Sequence, residues 1–216
     1  IGLSLVGSEM CIRDSSYGQY TSPHIHRIHE RIRINGQMVS DEKLIRAFET
    51  VEAAQSDVFL TYFEFLTLAC FVLFDSARLD LWILEIGLGG RLDAVNLIDP
   101  DVSIITSIGF DHQTYLGNSL EEIAAEKAGV MRERTPTFSA ASNVRRTLLT
   151  EAQRHGAALF WVDQVFDGKT LTLPRSGLVL DVSSARLPRI SVTLACLAMD
   201  ALGYLTSRSI EETLNQ

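Results

Sequence analysis

Cysteine is scarce in this sequence. Only Cys11, Cys70 and Cys196 occur among 216 residues. They are odd in number and form no close pair, which excludes a disulfide framework and fits a reducing, cytoplasmic compartment. Long apolar runs are missing too. The longest, Phe65 to Phe74, lies between Glu64 and Asp75 and is too short to span a bilayer. The opening residues lack a basic n-region, so no signal peptide is expected. Basic residues are in deficit: 19 Lys and Arg against 27 Asp and Glu give a net charge of -8. That argues against a nucleic-acid partner. It still permits a local anion site, because backbone amides and a metal ion can hold phosphate. Low-complexity stretches and internal repeats are absent. What is present is a globular balance of 46% hydrophobic and 21% charged residues. This excludes a disordered tail and suffices for one sizeable domain, or one plus part of another.

Ile1 to Ser16 fits no regular period. From Arg31 the pattern becomes readable. Residues 31–34 alternate, and Asn35-Gly36 turns the chain. Ser40-Asp41-Glu42 opens a helix with Leu44, Ile45, Phe48 and Val51 expected on one buried face. Thr61 to Glu64 is a capping-box pattern, followed to about Ala77 by a helix apolar on nearly all sides. Residues 81–86 and 102–108 are near-continuous apolar or β-branched runs, as in parallel strands covered on both faces. Ser119 with Glu122 opens another helix. Strands are expected at 135–139 and 157–162, with a helix over 143–155 between them. A hairpin is expected at 169–173 and 177–182, a helix at 190–202, and a further helix start at Ser209. The alternation predicts an α/β fold with a mainly parallel sheet flanked by helices.

In such folds ligands bind beyond the carboxyl ends of the strands. Glu85 lies near the end of an otherwise apolar strand. A carboxylate there is costly unless it is paired or holds a metal. Backbone amides or an arginine can satisfy it; a metal or catalytic role is the alternative. His112, beside Asp111, follows the next strand and is either solvated or a second ligand in the same crevice. Mg2+ prefers oxygen, so a histidine suits Mn2+ or Zn2+ better. Gly87, Gly89 and Gly90 can cradle a phosphate or simply form a tight turn. Arg91, Asp93 and Asn96 can then position a ligand or cap that turn. Lys127, one of three lysines, sits among small residues. It is either chemically modifiable or an ordinary helix-surface lysine, paired with Glu126 or a neighbour. His24, His26 and His29 cluster, but no cysteine or carboxylate completes a zinc spacing. Glu64 has a full account as a capping residue.

Several segments together resemble one family. They are Tyr20-Thr21-Ser22-Pro23-His24, Glu30 to Ile34, Thr61 to Phe65 and, most telling, Leu84-Glu85-Ile86-Gly87-Leu88-Gly89-Gly90-Arg91-Leu92-Asp93-Ala94-Val95-Asn96. Thr106-Ser107-Ile108, Asp111-His112, Leu116-Gly117 and Glu126-Lys127-Ala128-Gly129 follow in order. The chain thereby resembles the folylpolyglutamate synthase and dihydrofolate synthase family, within the Mur-ligase-like group. The resemblance is strong over 18–132 and weaker from there to about Gly203. It implies a central ATPase domain and an ATP-dependent ligase, which joins L-glutamate to dihydropteroate or a folate through an acyl phosphate. It further implies that Glu85 and His112 are Mg2+ ligands and that Lys127 is carbamylated. Gly87, Gly89, Gly90, Arg91 and Asn96 fall on the ATP side, and Ser22 on the folate side. The implied partners are small molecules only, with no membrane, and the full ligase is expected to be monomeric. The rivals are another Mur-type amino-acid ligase and a non-catalytic α/β binding module.

The sequence also departs from that family. No G-x-x-x-x-G-K-[ST] pattern occurs anywhere. The text around Pro188-Arg189-Ile190 blurs the family's glycine-arginine-histidine. Residues 17–205 are therefore expected to be a partial central domain, 206–216 its truncated end, and 1–16 a foreign segment, with the carboxyl-terminal domain absent. The chain as written is expected to bind ATP poorly and not to turn over. Sequencing the DNA upstream of Tyr17 should reveal an in-frame glycine-rich P-loop. Native coding sequence running intact through Ile1 would sink the foreign-segment expectation.

Overall fold

The computed structural model describes residues 15–205. The helix start expected at Ser209, and residues 1–14 of the segment taken as foreign, lie outside them. The backbone contacts group the described residues into two compact units. The first holds residues 15–88 and 93–97; the second holds 89–92 and 98–205. No helix among the described residues is long and apolar enough to cross a membrane.

The first unit is built on a four-stranded sheet in the order β3-β2-β1-β4. Its strands are β1 (Tyr17–Tyr20), β2 (Ile32–Ile34), β3 (Gln37–Met38) and β4 (Leu81–Leu84). β2 and β3 form the expected hairpin, with Ile34 opposite Gln37. The two residues between them, Asn35 and Gly36, both have positive φ, 50° and 76°. That is the type I′ geometry whose twist matches the strands and which Asn-Gly favours. β1 pairs antiparallel with β2 and parallel with β4. Its sequence, Tyr-Gly-Gln-Tyr, carries no apolar alternation, so pattern alone did not reveal it. Its neighbours on both sides make it a strand. At its start, Ser16 is tied to Asp80: the Ser16 amide and hydroxyl each donate to Asp80 Oδ2 at 2.8 Å.

Helices α1 (Asp41–Gln55) and α2 (Tyr62–Ala77) cover one face of this sheet. Ser40 caps α1 by accepting from the Lys43 amide. Leu44, Ala47 and Val51 are its buried residues. Ile45, expected on that face, is instead 54% exposed, because it sits one residue off the 44–47–51 stripe. α2 buries Leu66, Thr67, Ala69, Cys70, Leu73 and Phe74 among Tyr20, Ile32, Trp82 and Leu84. Phe71 and Phe74 meet the Trp82 ring at 5.9 and 5.5 Å.

The second unit holds three parallel strands in the order β5-β6-β7. These are β5 (Ser103–Ile105), β6 (Pro136–Ser139) and β7 (Ala158–Trp161). Phe138 and Phe160 face each other across β6 and β7 with ring centroids 5.5 Å apart. Its helices are α3 (Gln113–Leu116), α4 (Leu120–Ala128), α5 (Arg145–His155) and α6 (Arg189–Leu202). α4 packs on α5, and α6 packs on β5 and β6. The expected hairpin is β8 (Thr170–Thr172) with β9 (Val179–Asp181). Asp200, 2% exposed on α6, accepts the amides of Arg175 and Ser176 at its turn. The α/β class with parallel strands flanked by helices is thus observed, although the strands are shorter than the apolar runs that suggested them.

The α2 capping box forms as expected. The Thr61 hydroxyl accepts from the Glu64 amide at 3.3 Å, and Glu64 Oε2 accepts from the Thr61 amide at 2.7 Å. Replacing such a cap costs about 1 kcal/mol. Thr61→Ala is therefore expected to lower the unfolding free energy by that amount, read as a lower urea midpoint with an unchanged slope. An unchanged midpoint would mean that α2 is held by burial alone.

Candidate functional site

In the first unit the parallel pairing of β1 and β4 sets the geometry. The Glu85 amide donates to Tyr20 O at 3.0 Å, one step past the last paired residues. Glu85 is thus the first residue beyond β4, not within it, and the chain leaving β1 passes beside it. The Ser22 amide donates to Glu85 Oε2 at 2.7 Å. Glu85 Oε1 takes no hydrogen bond among the described residues. Burial pushes the Glu85 carboxyl above its ordinary value, against the Ser22 amide and the more distant Arg31 guanidinium, which pull it down. Ser22 and Glu85, singled out separately in the sequence, are therefore brought together.

The loop carrying Ser22 is fastened by Glu30. Its carboxylate accepts the amides of Ile25, His26 and Arg27 at 2.8 to 2.9 Å. Those amides pull the Glu30 carboxyl down from 4.5 to about 2. The histidine cluster is dispersed into structural roles. His24 Nδ1 accepts from Arg31 Nε at 2.8 Å, and His29 Nε2 lies 2.8 Å from Asp41 Oδ1. No trio of metal-ligating side chains is found among the described residues.

Beyond Glu85, Gly87 lies against the ring of Phe63, which a Cβ at that position would strike. Asp93, left between ligand and cap in the sequence, is the hub of this turn. Oδ2 accepts the Leu88 amide at 2.8 Å and Oδ1 the Val95 amide at 2.9 Å. Burial raises its carboxyl, and these amides oppose the rise. Asn96 follows in a short 3-10 turn, Ala94–Leu97, with its amide donating to Asp93 O.

In the second unit, Gly89 has φ 71° and Gly90 is buried against α4. Arg91 is engaged with Glu126: Nη2 and Nε reach Oε1 at 2.8 and 3.1 Å, and the Arg91 amide donates to Glu126 O at 2.9 Å. Lys127 follows Glu126 in the last turn of α4 and is half-buried. The suggested partnership of Lys127 with Glu126 is replaced by that of Arg91. Lys127 makes no ion pair among the described residues. His112 is exposed and has left-handed backbone, φ 49° and ψ 38°. A histidine tolerates that region, but it is uncommon and clusters at functional positions. Asp111 Oδ1 accepts the His112 amide at 2.8 Å, while the imidazole Nε2 stays 3.7 Å from Asp111 Oδ2.

One relative by sequence and two solved structures bear on this arrangement, and no family model matches the chain. The dihydrofolate synthase/folylpolyglutamate synthase of Escherichia coli is 37% identical over 197 residues, covering 89% of this chain and 47% of that protein. The solved structure of E. coli FolC in complex with DHPP and ADP matches with a TM-score of 0.84 at 33% identity, over 99% of this chain and 53% of that one. A bifunctional folylpolyglutamate synthase/dihydrofolate synthase with Mn, AMPPNP and L-glutamate bound matches with a TM-score of 0.87 at 35% identity, over 99% and 54%. The chain spans about half the length of these relatives.

The two carboxylates carry opposite pH signatures. Glu30, lowered to about 2, supplies stability that is present above 4.5 and lost as pH falls toward 2. Glu30→Gln is expected to remove that loss from urea midpoints taken between pH 6 and pH 3. Glu85, raised by burial, opposes folding once it ionises. Glu85→Gln is expected to raise the midpoint at pH 7, with the gain vanishing below pH 4. A lower midpoint at pH 7 would show that the charge is already compensated inside the fold.

Proposed function

Because this chain belongs, over about half of their length, to the dihydrofolate synthase/folylpolyglutamate synthase family, we propose that it is part of an ATP-dependent ligase that adds L-glutamate to dihydropteroate or a folate. The observation that carries this is Glu85. It is a half-buried carboxylate at the carboxyl end of a parallel strand, with one oxygen fixed by the Ser22 amide and the other taking no hydrogen bond among the described residues. A hard, oriented oxygen of this kind suits Mg2+. We take His112 separately as a second ligand. Its imidazole is exposed, with Nε2 3.7 Å from the Asp111 carboxylate, and Mn2+ accepts such a nitrogen more readily than Mg2+ does. The metal, when bound, would neutralise phosphate charge during transfer.

The reaction proposed has two steps. A carboxylate oxygen of the pteroate or folate attacks the γ-phosphorus of ATP, giving an acyl phosphate and ADP. The glutamate amine then attacks the acyl carbon; phosphate leaves, the amide forms, and the nitrogen gives up its proton. In this scheme Ser22 and the residues near it lie on the folate side, and Gly87, Gly89, Gly90 and Asn96 on the ATP side. Lys127 would act as a carbamate, formed when its neutral amine adds to CO2 and loses a proton, turning a cation into an anion. We further assign residues 17–205 to the central ATP-binding domain, 206–216 to its continuation, and 1–16 to a foreign segment. We place the ligase in the cytoplasm, as a monomer acting on small molecules. The 216 residues hold no P-loop pattern, so this chain taken alone is expected to bind ATP weakly and not to turn over.

The test is ADP release by the ligase containing these residues. It is expected only when ATP, L-glutamate and dihydropteroate or a folate are all present, and Glu85→Gln is expected to lower kcat about 100-fold or more. ADP release that ignores the acceptor, or survives Glu85→Gln, would remove the proposal. Full acceptor-dependent turnover by the 216-residue chain itself would remove its inactive part.

A further inference from the structure

We propose that Arg91 is a positioning residue that sets Lys127 through Glu126, rather than a ligand-binding arginine; this rests on the assignment of chemistry to Lys127. A free guanidinium beside a glycine-rich loop would be a natural phosphate clamp. This one is committed elsewhere. Both Nη2 and Nε point at Glu126 Oε1, and the main chain of the same residue donates to Glu126 O. Side chain and backbone thus grip one residue of α4, the neighbour of Lys127.

The approach is possible only because two glycines flank it. A Cβ on Gly90 would lie 2.8 Å from Glu126 O, 2.9 Å from Lys127 O and 3.1 Å from Lys127 Cα. A Cβ on Gly129 would strike the Cα and Cβ of Arg91. The segment 90–91 therefore lies directly across the last turn of α4, touching the backbone of Lys127 itself. Arg132 completes the fastening from beyond the helix, with Nη1 donating to Gly129 O at 3.1 Å. The Arg91 to Glu126 pair is partly exposed, so its contribution to stability is small. Its effect is geometric: it holds the turn from which the Lys127 amine projects.

The test is the rate of acetic-anhydride labelling of Lys127 in the 216-residue chain, read by mass spectrometry against Lys43 as internal reference. Arg91→Ala and Glu126→Gln are each expected to speed Lys127 labelling about threefold, the size expected from losing one exposed ion pair, with little change in melting temperature. The exchanged pair, Arg91→Glu with Glu126→Arg, is expected to restore the wild-type rate. Unchanged labelling in both single variants, or no restoration by the exchange, overturns the inference. A parallel series with added bicarbonate separates the underlying assignment. If bicarbonate fails to protect Lys127 in the wild type, the carbamate falls while the Arg91 result stands on its own ratios.

Discussion

The first unit depends on the parallel register of β1 against β4. Tyr20 stands opposite Leu84, so both strands end at the same level. The chain leaving β1 and the chain leaving β4 must then run side by side, and the Ser22 amide meets the Glu85 carboxylate. A slip of one residue in this pairing would turn Glu85 away from that amide, because side chains alternate faces along a strand. Tyr20 fixes the register from below. Its ring is buried in the core and its hydroxyl pairs with Thr67 at 3.1 Å. Burial raises that phenol to about 12, so it stays neutral through the working range of the protein.

Around this fixed point the polar groups are unequal in cost. Glu30 and Glu122 accept several backbone amides, Glu64 accepts the Thr61 amide and hydroxyl, and all three are pulled below their ordinary values. They favour the folded state once ionised. Glu85 and Asp93 are pushed the other way by burial. Asp93 spends its oxygens on the amides of the glycine-rich turn, so its cost is offset by order in that turn. Glu85 keeps one oxygen without such a return among the described residues.

Much of this was legible in the sequence, for physical reasons that can be named. The capping boxes at Thr61 and Ser119 and the Asn35-Gly36 turn are local chemistry, and all three formed. The α/β alternation was equally clear. β1 was not legible, because Tyr-Gly-Gln-Tyr has no periodicity and becomes a strand only between two partners. Ile45 was misplaced because four apolar residues within eight positions allow more than one stripe. In the candidate site, Glu85 and Ser22 were each singled out, but not their contact, which spans 63 positions. The Asp93 hub was left open for a similar reason. An aspartate in a glycine-rich loop reads the same whether it faces a ligand or its own backbone.

Arg91 shows the same ambiguity with a different resolution. An arginine after Gly-Gly invites a phosphate in any sequence reading. Its guanidinium instead meets Glu126, a residue 35 positions away. Two oppositely charged side chains exposed on a surface would contribute little. The paired main-chain bond and the bare Cα of Gly90 make this contact different. They bring two backbones within a distance that no side chain would allow, and the ion pair then selects one arrangement of that close approach. Gly90 serves packing at α4 at least as directly as it would serve any ligand. The requirement for hydrogen at the Gly90 Cα therefore follows from the position of the Glu126 and Lys127 backbone.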